Sequence, residues 1–293
     1  MWKLQPPAAG STAWKLTVLQ DMGGSPCQGV IRDGGGRLFI NNYVAVTMFV
    51  PGSPPSWTTV IPVSPDEDSF SDITLGPQGQ IFAAHDGGNS LVRALPGHGG
   101  WLLQTVYQFG VNDGATDPNS LSTGPDGTVY GTARGTSSVG GYIYQKIPSQ
   151  TGITFLTGVP ATFGNLLGMT LDTAGNVYGA TAKGVFKWRL GSPPTMLASF
   201  TTAPGGGGYY PPFPPVLGND GALYGVTPDA ASGGSKLGAV YRVTPTGQLT
   251  FVHAFAGNEW GPQAALVRGP GGWLYGTALG GAHGQGIVFR VHT

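Results

Sequence analysis

The sequence predicts an all-β protein folded as a six-bladed β-propeller of four-stranded antiparallel blades, with an N-terminal strand that closes the last blade. Three observations predict it: a turn motif that recurs six times, alternating strand-like segments after each copy, and a composition rich in glycine and poor in charge. The 293 residues include 52 glycines and 25 prolines, which without a repeat would indicate low complexity. The period of the sequence repeat, rather than the composition, therefore decides the fold class.

Each copy of the motif places a turn before an aliphatic residue and an aromatic residue. The copies read GGGRLFINN, GPQGQIFAA, GPDGTVYGT, DTAGNVYGA, GNDGALYGV and GPGGWLYGT. Their aromatic residues are Phe39, Phe82, Tyr130, Tyr178, Tyr224 and Tyr275. The intervals between these residues run from 43 to 51 residues, which is about the length of one propeller blade.

Further segments complete four strands per unit. The third strand is represented by YIYQKIPS and AVYRVTPTG, the fourth by ITFLTG and QLTFVHAF, and a short strand such as LLGMTL precedes the turn. The last unit stops after its third strand, whereas the N-terminal WKLTVLQDM resembles a fourth strand. We therefore expect residues 14–19 to complete the blade that begins near Ala264. A solenoid would also give a repeated sequence, but the complementary first and last strands favour a closed ring. We therefore expect residues 1–293 to form one domain, with residues 1–13 as an extended tail.

The fifth and sixth units read ALYGVTPDAASGGSKLGAVYRVTPTG and WLYGTALGGAHGQGIVFRVHT. This pattern resembles the Gloeobacter/Verrucomicrobia (GloVer-type) tandem repeats, and units three and four resemble it in part. Units one and two keep only the turn and the aliphatic-aromatic pair. The resemblance implies a bacterial, often exported, propeller-like protein, and it implies no uniform activity. It favours a secreted or periplasmic location with the signal peptide absent from this chain.

Charge and hydropathy exclude two classes of partner. Lys and Arg total 14, Asp and Glu total 14, and no basic run is present, so nucleic acid lacks its usual electrostatic source of affinity. No apolar stretch approaches the ~20 residues that span a bilayer. A single cysteine, Cys27, excludes intrachain disulfides and Cys-rich zinc sites, and a small buried residue accounts for it. We expect a monomer that binds a small molecule or a glycan.

The turns divide the ring into two faces. Tight turns such as Pro125-Asp126-Gly127 join the first and second strands, and the loops between strands three and four lie at the same end. Asp126 and Asp220, with Asp33 and Asp172 near matching turns, are therefore expected to form turns. The opposite end, the loop face, collects the longer and more variable connections, where binding groups usually reside.

Candidate catalytic residues are the ionisable groups that this division places on the loop face. They are Asp113, Asp117, Glu259, Asp86, His85 and His283. Glycoside hydrolysis needs two carboxyl groups ~5 to 9.5 Å apart, and distances around a ring cannot be read from sequence. Asp113 also lies in Asn112-Asp113-Gly114, which is a turn signal in its own right.

Candidate substrate-binding residues on the same face are aromatic or cationic. They are Tyr43, Arg134, Tyr209, Tyr210 and Trp260. Aromatic rings stack on the apolar faces of a ligand while carboxylates and amides fix its polar groups, which makes a sugar a natural partner. The alternative for Tyr209 and Tyr210 is that they and the prolines around them stiffen a long interblade loop.

No cofactor is expected, and Ca²⁺ is left open. The acidic segment SPDEDSFSD contains Asp66, Glu67, Asp68 and Asp72, but it lacks the spacing and glycine of a calcium loop, and a solvated loop is the simpler interpretation. No HxH or HExxH spacing supports a metal site on the histidines. No GxSxG elbow or phosphate loop leads from a strand into a helix.

Three functions remain open. The first is a carbohydrate-active enzyme, a glycoside hydrolase or polysaccharide lyase, with one central site on the loop face. The second is a noncatalytic sugar-binding or scaffold propeller, although repeated identical pockets are missing because the loop-face residues differ between units. The third is a metal-dependent lactonase, for which Asp72, Asn119 and Asn165 are the available strand-start ligands.

Overall fold

The computed structural model describes residues 2–5, 15–18, 27–42, 45–52, 54–62, 70–110, 112–200, 213–228, 238–262, 264–281 and 286–293. Six four-stranded antiparallel sheets form the blades of a propeller ring, as the sequence predicts. Helical structure in the described residues is confined to short 3-10 turns at Pro77–Gly79, Ala161–Phe163 and Pro270–Gly272. None of the described helices has the length and apolar character needed to cross a membrane.

Two N-terminal strands, β1 (Trp2–Gln5) and β2 (Lys15–Val18), precede the first blade. Each of blades one to five is a meander in which consecutive strands pair. Blade one contains β3 (Cys27–Arg32), β4 (Leu38–Asn42), β5 (Ala45–Val50) and β6 (Ser56–Pro62). Blade two contains β7 (Phe70–Leu75), β8 (Ile81–His85), β9 (Ser90–Gly97) and β10 (Gly100–Gln108). Blade three contains β11 (Thr116–Thr123), β12 (Val129–Arg134), β13 (Val139–Lys146) and β14 (Thr154–Pro160).

The second half of the chain repeats the plan. Blade four contains β15 (Leu166–Leu171), β16 (Val177–Thr181), β17 (Gly184–Trp188) and β18 (Thr195–Ser199). Blade five contains β19 (Val216–Leu217), β20 (Leu223–Thr227), β21 (Ala239–Val243) and β22 (Leu249–Ala254). Blade six contains β23 (Glu259–Pro262), β24 (Val267–Arg268), β25 (Trp273–Gly280) and β26 (Ile287–His292), with β23 and β24 sharing the innermost position against β25.

A contact between glycine and an aromatic ring explains the Tyr-Gly part of the repeat. In blade three, Gly131 pairs with Tyr144 across β12 and β13, and a Cβ at Gly131 would overlap the buried Tyr144 ring. Three more blades have the same pair, formed by Gly179 and Phe186, Gly225 and Tyr241, and Gly276 and Phe289. The corresponding pairs in the first two blades are Ile40 with Thr47 and Ala83 with Val92. Blades one and two therefore fill this space with two smaller side chains instead of one large ring.

Successive blades are joined by apolar clusters and by buried hydrogen bonds. One cluster combines Phe39 of blade one with Phe70 of blade two, and the other blade junctions between blades two and six repeat the arrangement. At the first junction, Asn41 Nδ2 donates to the Phe70 carbonyl at 2.8 Å. At the next junction, the Leu121 amide donates to Asp72 Oδ2 at 2.8 Å. These bonds fix the inner strands that carry the loop face.

The N-terminal segment forms a two-stranded antiparallel ribbon in the described residues. Strand β2 pairs with β1, so that Trp2–Gln5, expected within an extended tail, is a strand. Strand β26 pairs with β25, and its residues alternate between half-buried and exposed, whereas the third strands β17 and β21 are almost fully buried. A ladder between β2 and β26 is not found among the described residues. Closure of blade six by residues 14–19 therefore stays a prediction.

Candidate functional site

Turn carboxylates occupy the face opposite the candidate site, as the sequence predicts. Asp126 Oδ1 accepts a hydrogen bond from the Thr128 amide at 3.0 Å, and its Oδ2 accepts one from the Thr128 hydroxyl at 2.9 Å. These two bonds stabilise the carboxylate and lower the pKa of Asp126. Gly127 follows with φ of +79°, a conformation that favours glycine. The arrangement accounts for the Asp-Gly sequence as a structural turn.

On the loop face, five predicted or neighbouring polar residues come together where blades two and three meet. Arg134, at the end of β12, places Nη1 2.9 Å from Asp117 Oδ2. The Asp117 amide donates to Asn89 Oδ1 at 2.7 Å, which connects the start of β11 to the turn between β8 and β9. His85 and Asp86 begin that turn. We call His85, Asp86, Asn89, Asp117 and Arg134 the loop-face cluster.

The backbone is strained within this cluster. Asn89 has φ of 47° and Asp117 has φ of 45°, and these two residues hydrogen bond to each other. Among the described residues, Gln78 is the other non-glycine residue with positive φ. Left-handed conformations cost free energy in non-glycine residues, and they concentrate at binding and catalytic sites. The strain therefore supports the loop-face cluster as the functional site.

Asp86 combines partial burial with an unsatisfied carboxyl oxygen. Its Oδ1 is buried and has no hydrogen-bond partner among the described residues. Burial raises the pKa of Asp86, and the negative charge of Asp117 raises it further, against the lowering effects of the Asp86 and Gly87 amides and of His85. A carboxyl group with a raised pKa keeps a proton more readily than an exposed one, which suits a general acid.

His85 is held rigidly beside Asp86. The residue is 8% exposed, and its ring centroid lies 4.9 Å from that of Phe70. Nδ1 lies 3.4 Å from the Ser90 hydroxyl, while Nε2 is buried without a hydrogen-bond partner among the described residues. A Cβ at Gly88 would overlap the imidazole, so glycine at this position makes room for it. The ring is therefore fixed in place, and a ligand or a proton transfer could use Nε2 only if this buried nitrogen became accessible.

Asp113 has a structural role in the loop before blade three. Its Oδ1 accepts hydrogen bonds from the Ala115 amide at 2.9 Å and the Gly110 amide at 3.3 Å, and its Oδ2 accepts one from the Tyr107 hydroxyl at 2.7 Å. Burial, followed by this bond to Asp113, raises the pKa of Tyr107 to about 12. The turn interpretation of Asn112-Asp113-Gly114 accounts for all three contacts, and a catalytic role for Asp113 stays a prediction.

Glu259 and Trp260 lie on blade six, away from the loop-face cluster. Both residues belong to β23, and Trp260 pairs with Leu279 of β25. Glu259 Oε2 is 4.0 Å from His253 Nε2, and both side chains are about half exposed. Trp260 is 44% exposed. A joint role of the Glu259 carboxylate and the Trp260 indole stays a prediction, on a different blade from Asp117.

The remaining predicted residues lie outside the described part of the chain. They are Tyr43, Tyr209, Tyr210 and His283, together with the acidic residues Asp66, Glu67 and Asp68. Their roles stay predictions.

The Gloeobacter/Verrucomicrobia repeat model matches residues 117–293, which is more than half of the chain. The chain belongs to this repeat family. The match begins at Asp117 in blade three, and the glycine-aromatic pairs likewise start in that blade. Blades one and two, which lack those pairs, are the part of this repeat protein that the family model leaves unmatched. No curated protein matches the sequence.

Solved propeller structures resemble the repeat protein at low sequence identity. A catalytically inactive variant of virginiamycin B lyase from Staphylococcus aureus with quinupristin is 16% identical, with a TM-score of 0.65 over 100% of this chain and 89% of that chain. A putative gluconolactonase is 14% identical, with a TM-score of 0.58 over 94% and 90%. A luciferin-regenerating enzyme is 14% identical, with a TM-score of 0.59 over 92% of each chain. These similarities show the fold alone.

The residues considered for a lactonase metal site have structural partners in the repeat protein. The Asp72 carboxylate accepts hydrogen bonds from the Ile73 and Leu121 amides, both at 2.8 Å. Asn119 donates to the Leu166 carbonyl at 3.0 Å and accepts a hydrogen bond from Thr132. In the described residues, no three His, Cys, Asp or Glu side chains are grouped to hold a metal ion. Sequence reasoning missed that Asp72 and Asn119 bridge neighbouring blades through these hydrogen bonds. Polar residues at the starts of inner strands are the sequence signal for such bridges.

Proposed function

We propose that this repeat protein is a carbohydrate-active enzyme that hydrolyses a glycosidic bond at the loop-face cluster. The observation that carries the proposal is the proximity of two unlike carboxyl groups, since the charge of Asp117 contributes to the raised pKa of Asp86. Asp86 has a buried, unpartnered oxygen and a pKa raised by burial, whereas Asp117 forms an ion pair with Arg134. Two carboxyl groups in different environments are the usual basis for assigning an acid and a base in a glycosidase.

The chemistry assigns a separate role to each side chain. Asp86 donates a proton to the glycosidic oxygen as the bond to the anomeric carbon breaks. Asp117 supplies negative charge to the oxocarbenium-like transition state, either by attacking the anomeric carbon or by activating a water molecule. Arg134 and Asn89 hold Asp117 in position through its carboxylate and its amide, respectively. Because both contacts come from ordered elements, the carboxylate is oriented before substrate arrives.

Elimination is a second candidate, favoured by the imidazole and the guanidinium in the same cluster. In a polysaccharide lyase, a base removes the proton next to a uronate carboxylate, a carbon-carbon double bond forms, and the glycosidic oxygen leaves. His85 Nε2 would be the base and Arg134 would neutralise the uronate. The propeller structures similar to this chain include a lyase, which supports a propeller as a scaffold for such chemistry.

The test begins with a glycan array and continues with turnover measurements on the glycan that binds. Asp86→Asn and Asp117→Asn should each lower kcat by about 100-fold or more while KM changes little, because shape is kept and proton transfer or charge is lost. Asp126→Asn, a carboxylate change in a turn on the opposite face, is the control and should leave kcat unchanged. A saturated product with a new reducing end indicates hydrolysis, and an unsaturated product indicates elimination.

Three results would contradict the proposal. Full turnover in both Asp86→Asn and Asp117→Asn would exclude the carboxylate mechanism. Loss of turnover only in Glu259→Gln would move the reaction to blade six. Selective binding without turnover in the unmodified protein would favour the noncatalytic sugar-binding alternative.

A further inference from the structure

We infer that the ligand is an oligosaccharide that crosses the mouth of the central channel, with one sugar at the loop-face cluster and a distant sugar stacked on Trp260. The inference rests on the proposed function for its glycan class. It adds a remote stacking subsite and a minimum ligand length.

Strand register places the two sites at matching positions in their blades. In blade three, Thr116 pairs with Arg134, and Asp117 is the next residue of β11. In blade six, Trp260 of β23 pairs with Leu279. Arg134 and Leu279 each stand four residues after the repeat aromatic of their blade. Arg134 and Leu279 therefore occupy equivalent places at the loop-face end, and Trp260 takes the place of Thr116, the residue before Asp117.

Ring geometry then separates the two pairs by the width of the channel. Blades three and six are three steps apart in a ring of six, so they face each other across the centre. Cα atoms of neighbouring inner strands such as β7 and β11 approach within 8 Å, so opposite strands of a regular hexagon lie about 16 Å apart. A single sugar ring cannot reach both places. A chain of several sugars can.

Trp260 is the most exposed of the tryptophans whose burial the structure describes. Trp188 is buried, and Trp57, Trp101 and Trp273 are partly buried, whereas Trp260 is 44% exposed and its partner Leu279 is 38% exposed. A ligand with an apolar face could cover the exposed indole and the exposed leucine and so remove both side chains from water.

The surroundings of Trp260 fit a sugar ring better than a wholly apolar ligand. The indole lies over Gly280, where an added Cβ would be 2.8 Å from Cδ1, so that glycine leaves room for the ring. The half-exposed Glu259 carboxylate is adjacent in sequence, and His253 lies 4.0 Å from it. A flat apolar surface with acceptors at its rim matches a sugar, whose ring faces carry C–H groups and whose edge carries hydroxyl groups.

The experiment measures binding as a function of ligand length. Two series serve as probes: β-1,4-linked glucose oligomers and α-1,4-linked galacturonate oligomers, from one to eight units, titrated by calorimetry and by tryptophan fluorescence. In the unmodified protein, affinity should rise with length and then level off. In Trp260→Ala, the longest oligomers should bind about tenfold more weakly while the shortest bind as before, because only the long oligomers reach the indole. The fluorescence change caused by long oligomers should disappear with Trp260.

Leu190→Ala is the matched control, since Leu190 is 70% exposed and lies on the opposite face, between β17 and β18. It should leave every affinity unchanged. Equal weakening of short and long oligomers by Trp260→Ala, or no weakening, would overturn the inference, as would affinity independent of length in both series. Because only binding is measured, a length effect without turnover would retain the inference and refute the proposed hydrolysis.

Discussion

The buried bridge between blades two and three predicts a specific dependence of stability on pH. Burial raises the pKa of Asp72 from 3.8 to about 6, against the lowering effect of the Leu121 and Ile73 amides. The facing ionisable group is the buried Tyr144, whose hydroxyl has no partner among the described residues and whose pKa rises through burial and the charge of Asp72. Because the pKa of Asp72 is higher in the folded state than in the unfolded state, the folded state holds this proton more tightly. The resulting stabilisation is complete below pH 4 and is lost as pH rises from about 4 to about 6.

The magnitude follows from the shift. A change of about two pKa units at 1.36 kcal/mol each gives about 3 kcal/mol, an upper limit because Asp72 keeps some accessible surface. Asp72→Asn removes the ionisation at the cost of one of the two amide hydrogen bonds, so the free energy of unfolding of the variant relative to the unmodified protein should rise by up to about 3 kcal/mol between pH 4 and pH 8. Urea titrations at several pH values measure this difference.

Glu259→Gln, at an exposed carboxylate, is the control and should show no such difference. A stability difference between Asp72→Asn and the unmodified protein that does not change between pH 4 and pH 8 would refute the reasoning. Such a result would mean that Asp72 has the same pKa in the folded and unfolded states.

The glycine-aromatic pairs, the turn carboxylates and the N-terminal segment each support a further prediction. Gly179→Ala should destabilise the protein by about 1 to 3 kcal/mol through overlap with Phe186, whereas Gly29→Ala, which meets open space, should not; chemical denaturation compares them. Asp126→Ala should cost about 0.5 to 2 kcal/mol and leave ligand binding intact, and loss of binding in a folded variant would reverse the two faces. Deleting residues 1–19 should lower the melting temperature or cause aggregation, and an unchanged monomer would contradict closure by that segment.

The fold was accessible from sequence because its determinants are local and repeated. Gly124, Asp126 and Gly127 form one hairpin turn through contacts within a few residues, and the pattern recurs in other blades. The glycine-aromatic pair joins neighbouring strands of one blade, and its glycine always follows the aromatic residue of the turn motif. Signals of this kind survive in a single sequence.

The site was less accessible because ring geometry, rather than sequence distance, decides which loops meet. Asp117 and Glu259 are both carboxylates at the starts of inner strands, and no local feature distinguishes their partners. The structure pairs Asp117 with Arg134 and leaves Glu259 beside His253 on another blade. Likewise, Asp72 bridges two blades through the Leu121 amide, a contact between residues 49 positions apart in the chain.

The glycine-aromatic pair has a consequence for how the ring can change over time. Each of blades three to six contains both partners within its own second and third strands, as Gly225 and Tyr241 do in blade five. A recombination event that duplicates or removes one whole unit among them would leave the internal fit of every surviving unit intact. Blades one and two use Ile40 with Thr47 and Ala83 with Val92, so a crossover inside their second strands would join a large ring to a position without glycine. Rearrangement is therefore easiest in the later part of the gene, and the first two blades are expected to be inherited as a block.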